Sequence, residues 1–442
     1  MRIVRSFAVM AAAFCCSLAA TAQTKADWKP ESFTLSNGME VVVLPDHRAP
    51  VVTHMLWYRV GSADEAKGKS GLAHFLEHLM FKGTPNIPAG EYSKIVARNG
   101  GQDNASTSFD FTNYYFRVAK DRLPQMMRME ADRMVHLNLT DEQVLPERKV
   151  VQEERRQNTD SNPGAVLDEM VYAKLYAGHP YAIPPVGRMN EVAKLSREDA
   201  VDWYRTWYGP ENAILVVAGD VTAAELKPMA EQIYGAVPRR GDLKKRSWPQ
   251  VKPLAAPVEL SHSDPKVRQP QWTRYWLGVP YGDPDSEALD VGMAILAGGR
   301  TSRLYHALVE QGQAVMVYGY SMEMEAPGAI VMNASPSEGV TVDAIEKAAL
   351  AVTSRFLREG PTAAELERAK KMIAADAIFS RDNQMSMAEW YGSLLNSGMS
   401  LEYIEARETR VRAVTADDVK RVMNKYITGK PFVDATLLPE AR

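Results

Sequence analysis

Apolar runs separated by charged and turn-forming stretches set out the elements of this chain before any single residue is considered. Residues 39–44, 51–58, 109–118, 213–218 and 432–438 are short, rich in β-branched and aromatic side chains, and expected as strands. The longer stretches 123–137, 141–157 and 363–378 carry helical periodicity. A shorter helix is expected between Ser70 and Gly83, where Leu72, Leu76, Leu79 and Met80 form one apolar stripe. Strand and helix runs do not alternate strictly. That favours an α+β fold, with mixed, largely antiparallel sheets covered by helices, over a doubly wound sheet.

The pattern is written twice. Trp57-Tyr58-Arg59-Val60 ahead of Gly61-Ser62-Ala63-Asp64 is matched, 219 positions later, by Trp276-Leu277-Gly278-Val279 ahead of Pro280-Tyr281-Gly282-Asp283. Ser196-Arg197-Glu198-Asp199-Ala200 is matched by Thr415-Ala416-Asp417-Asp418-Val419 at the same offset of 219. Ser196 and Thr415 read as helix N-caps with acids in the first turn, and each helix leads to an apolar strand. Two like halves are therefore expected, 23–238 and 258–442, joined by a polar linker at 239–257 that holds Pro249, Pro253 and Pro257.

Composition narrows the setting. Arg2 and Arg5, an apolar run from Phe7 to Ala20, and Ala20-Thr21-Ala22 as a small-x-small cleavage site make residues 1–22 an expected secretory signal peptide. The run is short for a membrane span, so the mature chain is expected in the periplasm without a membrane anchor. Phe14 precedes Cys15, which argues against a lipoprotein signal, and cleavage removes both Cys15 and Cys16. A thiol-free chain offers a metal only nitrogen and oxygen donors, and it has no disulfide to stabilise it. Of 52 basic side chains, loss of Arg2 and Arg5 leaves 50 against 55 acidic ones, a formal charge of −5. No basic stripe points to nucleic acid.

Against this background His74, Glu77 and His78 spell H-x-x-E-H, the reverse of the commoner H-E-x-x-H zinc motif. On a helix the imidazoles fall at i and i+4, where both can grip one ion. Glu77 shares that side, where a carboxylate can take a proton from a metal-polarised water. Chance also supplies so short a motif, and zinc with two protein ligands is weakly held, so a third ligand decides the matter. Glu147 and Glu154, at i and i+7 in Glu147-Arg148-Lys149-Val150-Val151-Gln152-Glu153-Glu154, lie on one helix face. Either could face a metal, and a solvated, salt-bridged surface helix would carry the same charges. Adding 219 to the motif positions gives Met293, Leu296 and Ala297, so the second half lacks such a cluster.

His74-Phe75-Leu76-Glu77-His78, followed 76 positions later by Glu154, resembles the pitrilysin and insulinase family of inverted zinc peptidases. The match is closest to the half-length branch that is similar to mitochondrial processing peptidase and to bacterial two-chain zinc peptidases. It runs through Gly100-Gly101, Asn104-Ala105-Ser106-Thr107, Asp110-Phe111-Thr112 and Tyr114 to Gly298-Gly299-Arg300-Thr301-Ser302-Arg303-Leu304. The resemblance implies Zn2+ held by His74, His78 and Glu154, with Glu77 as general base and Glu147 supporting the site. It also implies that Asn104 and Ala105 form an active-site rim that pairs with extended peptide substrates as an added strand. An ordinary turn before the strand at 109–118 is the plainer reading of Asn104.

The chain departs from the family in one place. Where many relatives carry L-R-E-x-x-G-L-A-Y, it reads Leu308-Val309-Glu310-Gln311-Gly312-Gln313-Ala314-Val315-Met316, so Val309 and Met316 replace an Arg and a Tyr. Neither can donate a hydrogen bond to a developing oxyanion. Tyr318, two residues on, would share the strand face of Met316. The resemblance then implies the catalytic subunit of a heterodimer whose homologous partner supplies the Arg/Tyr pair, rather than a homodimer. A noncatalytic assembly subunit is the alternative, and a periplasmic metal-binding or chaperone-like protein a third; retention of Glu77 with all three ligand candidates favours catalysis.

Overall fold

The computed structural model describes residues 29–242 and 244–440. The expected signal peptide lies outside the described residues. The first half builds β1 (Glu31–Thr34), β2 (Glu40–Pro45), β3 (Val51–Tyr58), β4 (Gln102–Thr107), β5 (Thr112–Ala119) and β6 (Ala213–Gly219) into one sheet in the order β1-β2-β6-β3-β5-β4. Of its helices, α1 (Leu72–Leu79), α2 (Leu123–His136), α3 (Asp141–Arg155), α4 (Pro163–Leu175) and α5 (Arg197–Trp207) frame the site. The second half orders β7 (Val258–Asp264), β8 (Gln271–Leu277), β9 (Ala314–Met322), β10 (Ala329–Pro336) and β11 (Val433–Pro439) as β7-β11-β8-β10-β9. Its helices include α6 (Ser286–Ala297), α7 (Ala363–Ser380), α8 (Gln384–Asn396) and α9 (Ala416–Ile427). Among the described strands only β2–β6 and β7–β11 pair in parallel, so both sheets are mixed and largely antiparallel, as expected.

The offset of 219 carries β2, β3 and β6 onto β7, β8 and β11 to within a residue or two, and α5 onto α9. Both helices open with the same capping box. Ser196 Oγ accepts from Asp199 N at 3.2 Å while Asp199 accepts from Ser196 N at 3.0 Å, and Thr415 and Asp418 repeat the exchange at 3.1 Å each.

The halves are interlocked. α4 packs on β7 and β11 of the second sheet, while α8 packs on β3 and β6 of the first. Each central strand thus has helices on both faces, which is why 213–218 reads as an unbroken apolar run instead of alternating. Trp57, Met55, Ile214 and Val216 meet Met387, Tyr391 and Leu395 of α8 in one buried cluster. The segment 239–257 contributes no helix or strand among its described residues, yet it is not a free spacer. Arg240 bonds Glu211 and the Tyr208 and Met134 carbonyls, and Arg246 and Trp248 are gripped by Asp64. No helix among the described residues is long and apolar enough to cross a membrane.

One expected strand needs correction. Residues 109–118 do not run as a single strand: β5 starts at Thr112, and Ser108 N donates to Phe111 O at 2.8 Å to close a turn back to β4. The polar β4 had given no apolar alternation to reveal it. The helix expected at 141–157 also changes character, ending as α-helix at Arg155 and continuing as a wider π-type turn over Arg156–Asp160.

Candidate metal centre

α1 buries Leu72, Ala73, Phe75, Leu76 and Leu79 against the first core, which leaves His74 and His78 facing outward together. Gly71 turns the chain into the helix at φ 86°, a left-handed conformation that favours glycine. With no side chain on Gly71 to cap the helix, Glu65 does so from outside: its carboxylate accepts from Gly71 N at 2.9 Å and Ala73 N at 2.8 Å.

α3 lies alongside α1 and brings both candidate carboxylates to the histidines. Glu154 Oε2 is 3.2 Å from His78 Nε2 and 3.6 Å from His74 Nε2. One potential ligand atom from each of these three residues lies within 4.8 Å of the others. Glu147 takes the other side of His78, its Oε1 2.9 Å from Nδ1, and also pairs with Lys82. That contact fixes His78 with Nδ1–H toward Glu147 and Nε2 toward Glu154. His74 Nδ1 is buried with no hydrogen-bond partner among the described residues. Two imidazoles and one carboxylate converging this way fit a zinc ion.

The titration behaviour follows from the packing. Burial and the neighbouring His78 push His74 down to about 4. Burial also opposes the charged form of His78, but hydrogen bonds to Glu147 and Glu154 overcome it and raise the imidazole to about 9. Glu154 is held below the usual carboxylate range by its bond to His78. Glu77 goes the other way. It is 9% exposed, and burial raises it despite a 2.5 Å hydrogen bond donated by Thr107 Oγ1 to its Oε2.

Thr107 ends β4, an edge strand paired, among the described residues, with β5 alone. Along β4, Gln102, Asn104 and Ser106 are exposed, while Asp103, Ala105 and Thr107 are half-buried, with Ala105 packed on the first core. Ala105 therefore shares the α1 side with Thr107, and Asn104 points to the opposite face. Neither is an isolated turn residue. Thr107, Lys82 and Glu65 carry no signal in the sequence, because each acts on a residue that only folding brings near.

In the second half, Met293, Leu296 and Ala297 are buried on α6 within an apolar core. Ile373, 219 positions after Glu154, lines a cavity of about 350 Å3 together with Met293. Val309 lies in a short π-type turn and Met316 on β9. Tyr318 is exposed on the same face as Met316, as expected, and stacks on Tyr320 with centroids 6.3 Å apart. Burial raises its hydroxyl above the ordinary range, with neighbouring Tyr320 and Asp168 of α4 acting in the same direction.

A duplicated α+β pair of sheets with an H-x-x-E-H helix and a second helix bringing a glutamate defines a class of metallopeptidase scaffold, and the chain belongs to the insulinase family, peptidase family M16. The model for that family matches residues 40–187, and the one described as the peptidase M16 inactive domain matches 194–373. A protein named zinc protease PqqE from Helicobacter pylori is 31% identical over 417 residues, covering 93% of each chain. The crystal structure of a protease from Helicobacter pylori, 30% identical, superposes with a TM-score of 0.85 over 93% of this chain and 100% of that one. The mitochondrial-processing peptidase subunit beta of Lentinula edodes is 26% identical over 414 residues, covering 91% of this chain and 88% of its own.

Proposed function

We propose that this chain is the catalytic subunit of a periplasmic zinc endopeptidase that cleaves extended peptides. In this reading residues 1–22 are a signal peptide, 23–238 the catalytic domain, 239–257 the connecting segment, and 258–442 a duplicated domain without metal. The observation that supports it most is the convergence of His74, His78 and Glu154 beside Glu77 and the free edge of β4.

His74 Nε2, His78 Nε2 and Glu154 Oε2 would hold zinc, with Glu147 orienting His78. When bound, zinc supplies Lewis-acid polarisation of the scissile carbonyl and of a water molecule. Glu77 takes the proton from that water. Its carboxyl, raised by burial, holds the proton and then passes it to the leaving amine. Thr107 keeps Glu77 Oε2 in place, which leaves the other carboxylate oxygen to take the proton. The unpaired edge of β4 at Asn104 and Ala105 aligns the peptide backbone as an added strand, which demands little of the substrate sequence.

Val309 and Met316 leave this chain without the Arg/Tyr pair, and Tyr318 stacks on Tyr320. A homologous partner that carries the pair would complete the enzyme. The test is cleavage of a quenched peptide by the purified chain, alone and with a candidate partner. Activity that a chelator abolishes and zinc restores, and that rises at least about 100-fold with the partner, is expected. No cleavage in either preparation would favour a noncatalytic assembly subunit, and full activity from the chain alone would remove the heterodimer.

A further inference from the structure

Two walls hold Glu77 in register, and both lead to one arginine in the connecting segment. The first wall is α1, tethered at its N-terminus by Glu65, the residue after Asp64. The second is β4, whose Thr107 bonds Glu77 and whose turn into β5 passes through Asp110. Arg246 grips Asp64 through two hydrogen bonds of 3.0 Å, from Nε to Oδ1 and from Nη2 to Oδ2. The same Nη2 donates to the Asp110 carbonyl at 2.8 Å, and Nη1 reaches Glu325 Oε2 of the second half at 2.5 Å.

The surroundings make this a rigid junction. Asp64 is 2% exposed at its side chain and Arg246 14%. Trp248 lies under the guanidinium at 4.4 Å and donates from Nε1 to Asp64 at 3.1 Å. Asp110 is held in turn by Tyr181 Oη, by Glu325 N at 3.1 Å and, at its carbonyl, by Asn396 Nδ2 at 3.2 Å. A planar fork with five donors can span three such acceptors at fixed angles, whereas an ammonium cannot.

We infer that Arg246 is a positioning residue of the active site: it fixes the α1 tether and the β4 turn relative to each other and ties both to the second half through Glu325. A carboxylate displaced by about 1 Å from its productive position loses on the order of 100-fold in rate, so a junction of this kind governs turnover from outside the site.

The test compares Arg246→Met with Arg274→Met. Arg274 is also buried and ion-paired, with Asp434 and Glu346, but it touches neither wall. Each variant of the full chain is measured for zinc content, for amide hydrogen exchange at 71–79 and 102–107, and for kcat and KM. Arg246→Met should keep its zinc, exchange roughly tenfold faster in both segments, and lose about 10- to 100-fold in kcat, with KM changed less than about threefold. Arg274→Met should keep native exchange in both segments and native kcat. Glu65→Gln should speed exchange at 71–79 alone, which separates the two arms. If Arg246→Met does not fold, Arg246→Lys and Glu325→Gln should show the same pattern with smaller changes. Native exchange at both segments in the Arg246 variants, or equal acceleration in Arg274→Met, would overturn the assignment. The kinetic arm rests on the peptidase reading and the exchange arm does not, so an inactive wild-type chain would refute the former while the exchange pattern still decides the latter.

Discussion

Replacing Glu147 isolates the support given to one candidate ligand without removing any donor. Glu147 Oε1 lies 2.9 Å from His78 Nδ1, and the carboxylate is shared with Lys82. In Glu147→Gln the amide oxygen can still accept from His78, so the geometry survives while the negative charge is lost. A charge-assisted hydrogen bond is roughly twice as strong as a neutral one. Carboxylates that orient a metal-bound histidine contribute about 10- to 100-fold in metal affinity, or about 1.4 to 2.7 kcal/mol. Glu147→Gln should fall near the lower figure and Glu147→Ala near the upper. Competition against a chelator of known zinc affinity measures both. Glu153→Ala, exposed on the same helix and paired with Arg156, should leave affinity unchanged. Native affinity in both Glu147 variants would refute the idea that this carboxylate orients His78.

Three further outcomes follow from the geometry. In the metal-free chain His78 titrates near 9 when folded against an ordinary 6.5, so its contribution to stability is fully present below about pH 6.5 and is lost as pH rises through about 9. Thermal unfolding of the metal-free protein should therefore fall by a few degrees across that window, roughly 2–4 °C per kcal/mol, with His78→Gln making the slope measurably shallower. At Gly392 of α8 an added Cβ would lie 2.1 Å from the Trp57 ring, so Gly392→Ala should cost about 1–3 kcal/mol in denaturant unfolding, and a neutral result would contradict the interlocked packing. Thr107→Val should keep zinc while lowering turnover by about 10-fold or more, because Glu77 loses its donor; unchanged turnover would remove Thr107 from the site.

Legibility of the sequence followed the strength of its apolar pattern. β3 was readable to the residue, because its pattern is bounded by turn formers, and the capping boxes at Ser196 and Thr415 announced α5 and α9. β4 was not, since Gln102–Thr107 offers Ala105 as its one apolar side chain and is a strand through pairing with β5. The exchange of α4 and α8 between the halves was equally hidden: a helix with buried residues does not say which sheet covers it. H-x-x-E-H and the two glutamates of α3 were plain as motifs, yet their arrangement was not. That Glu154 meets both histidines while Glu147 turns to Nδ1 of His78 depends on how α3 crosses α1. Arg246 and Asp64, 182 residues apart, left no local signal at all.

The central claim is that metal binding and proton transfer reside on different residues of one cluster. Zinc content and peptide turnover, measured in parallel on Glu77→Gln and Glu154→Ala under conditions where the wild type cleaves, test it most directly. Glu77→Gln should hold about one zinc per chain and lose nearly all turnover, because an amide cannot accept the proton, whereas Glu154→Ala should lose the metal itself. A Glu154→Ala protein with full zinc and full activity, or a Glu77→Gln protein that still turns over, would contradict the account.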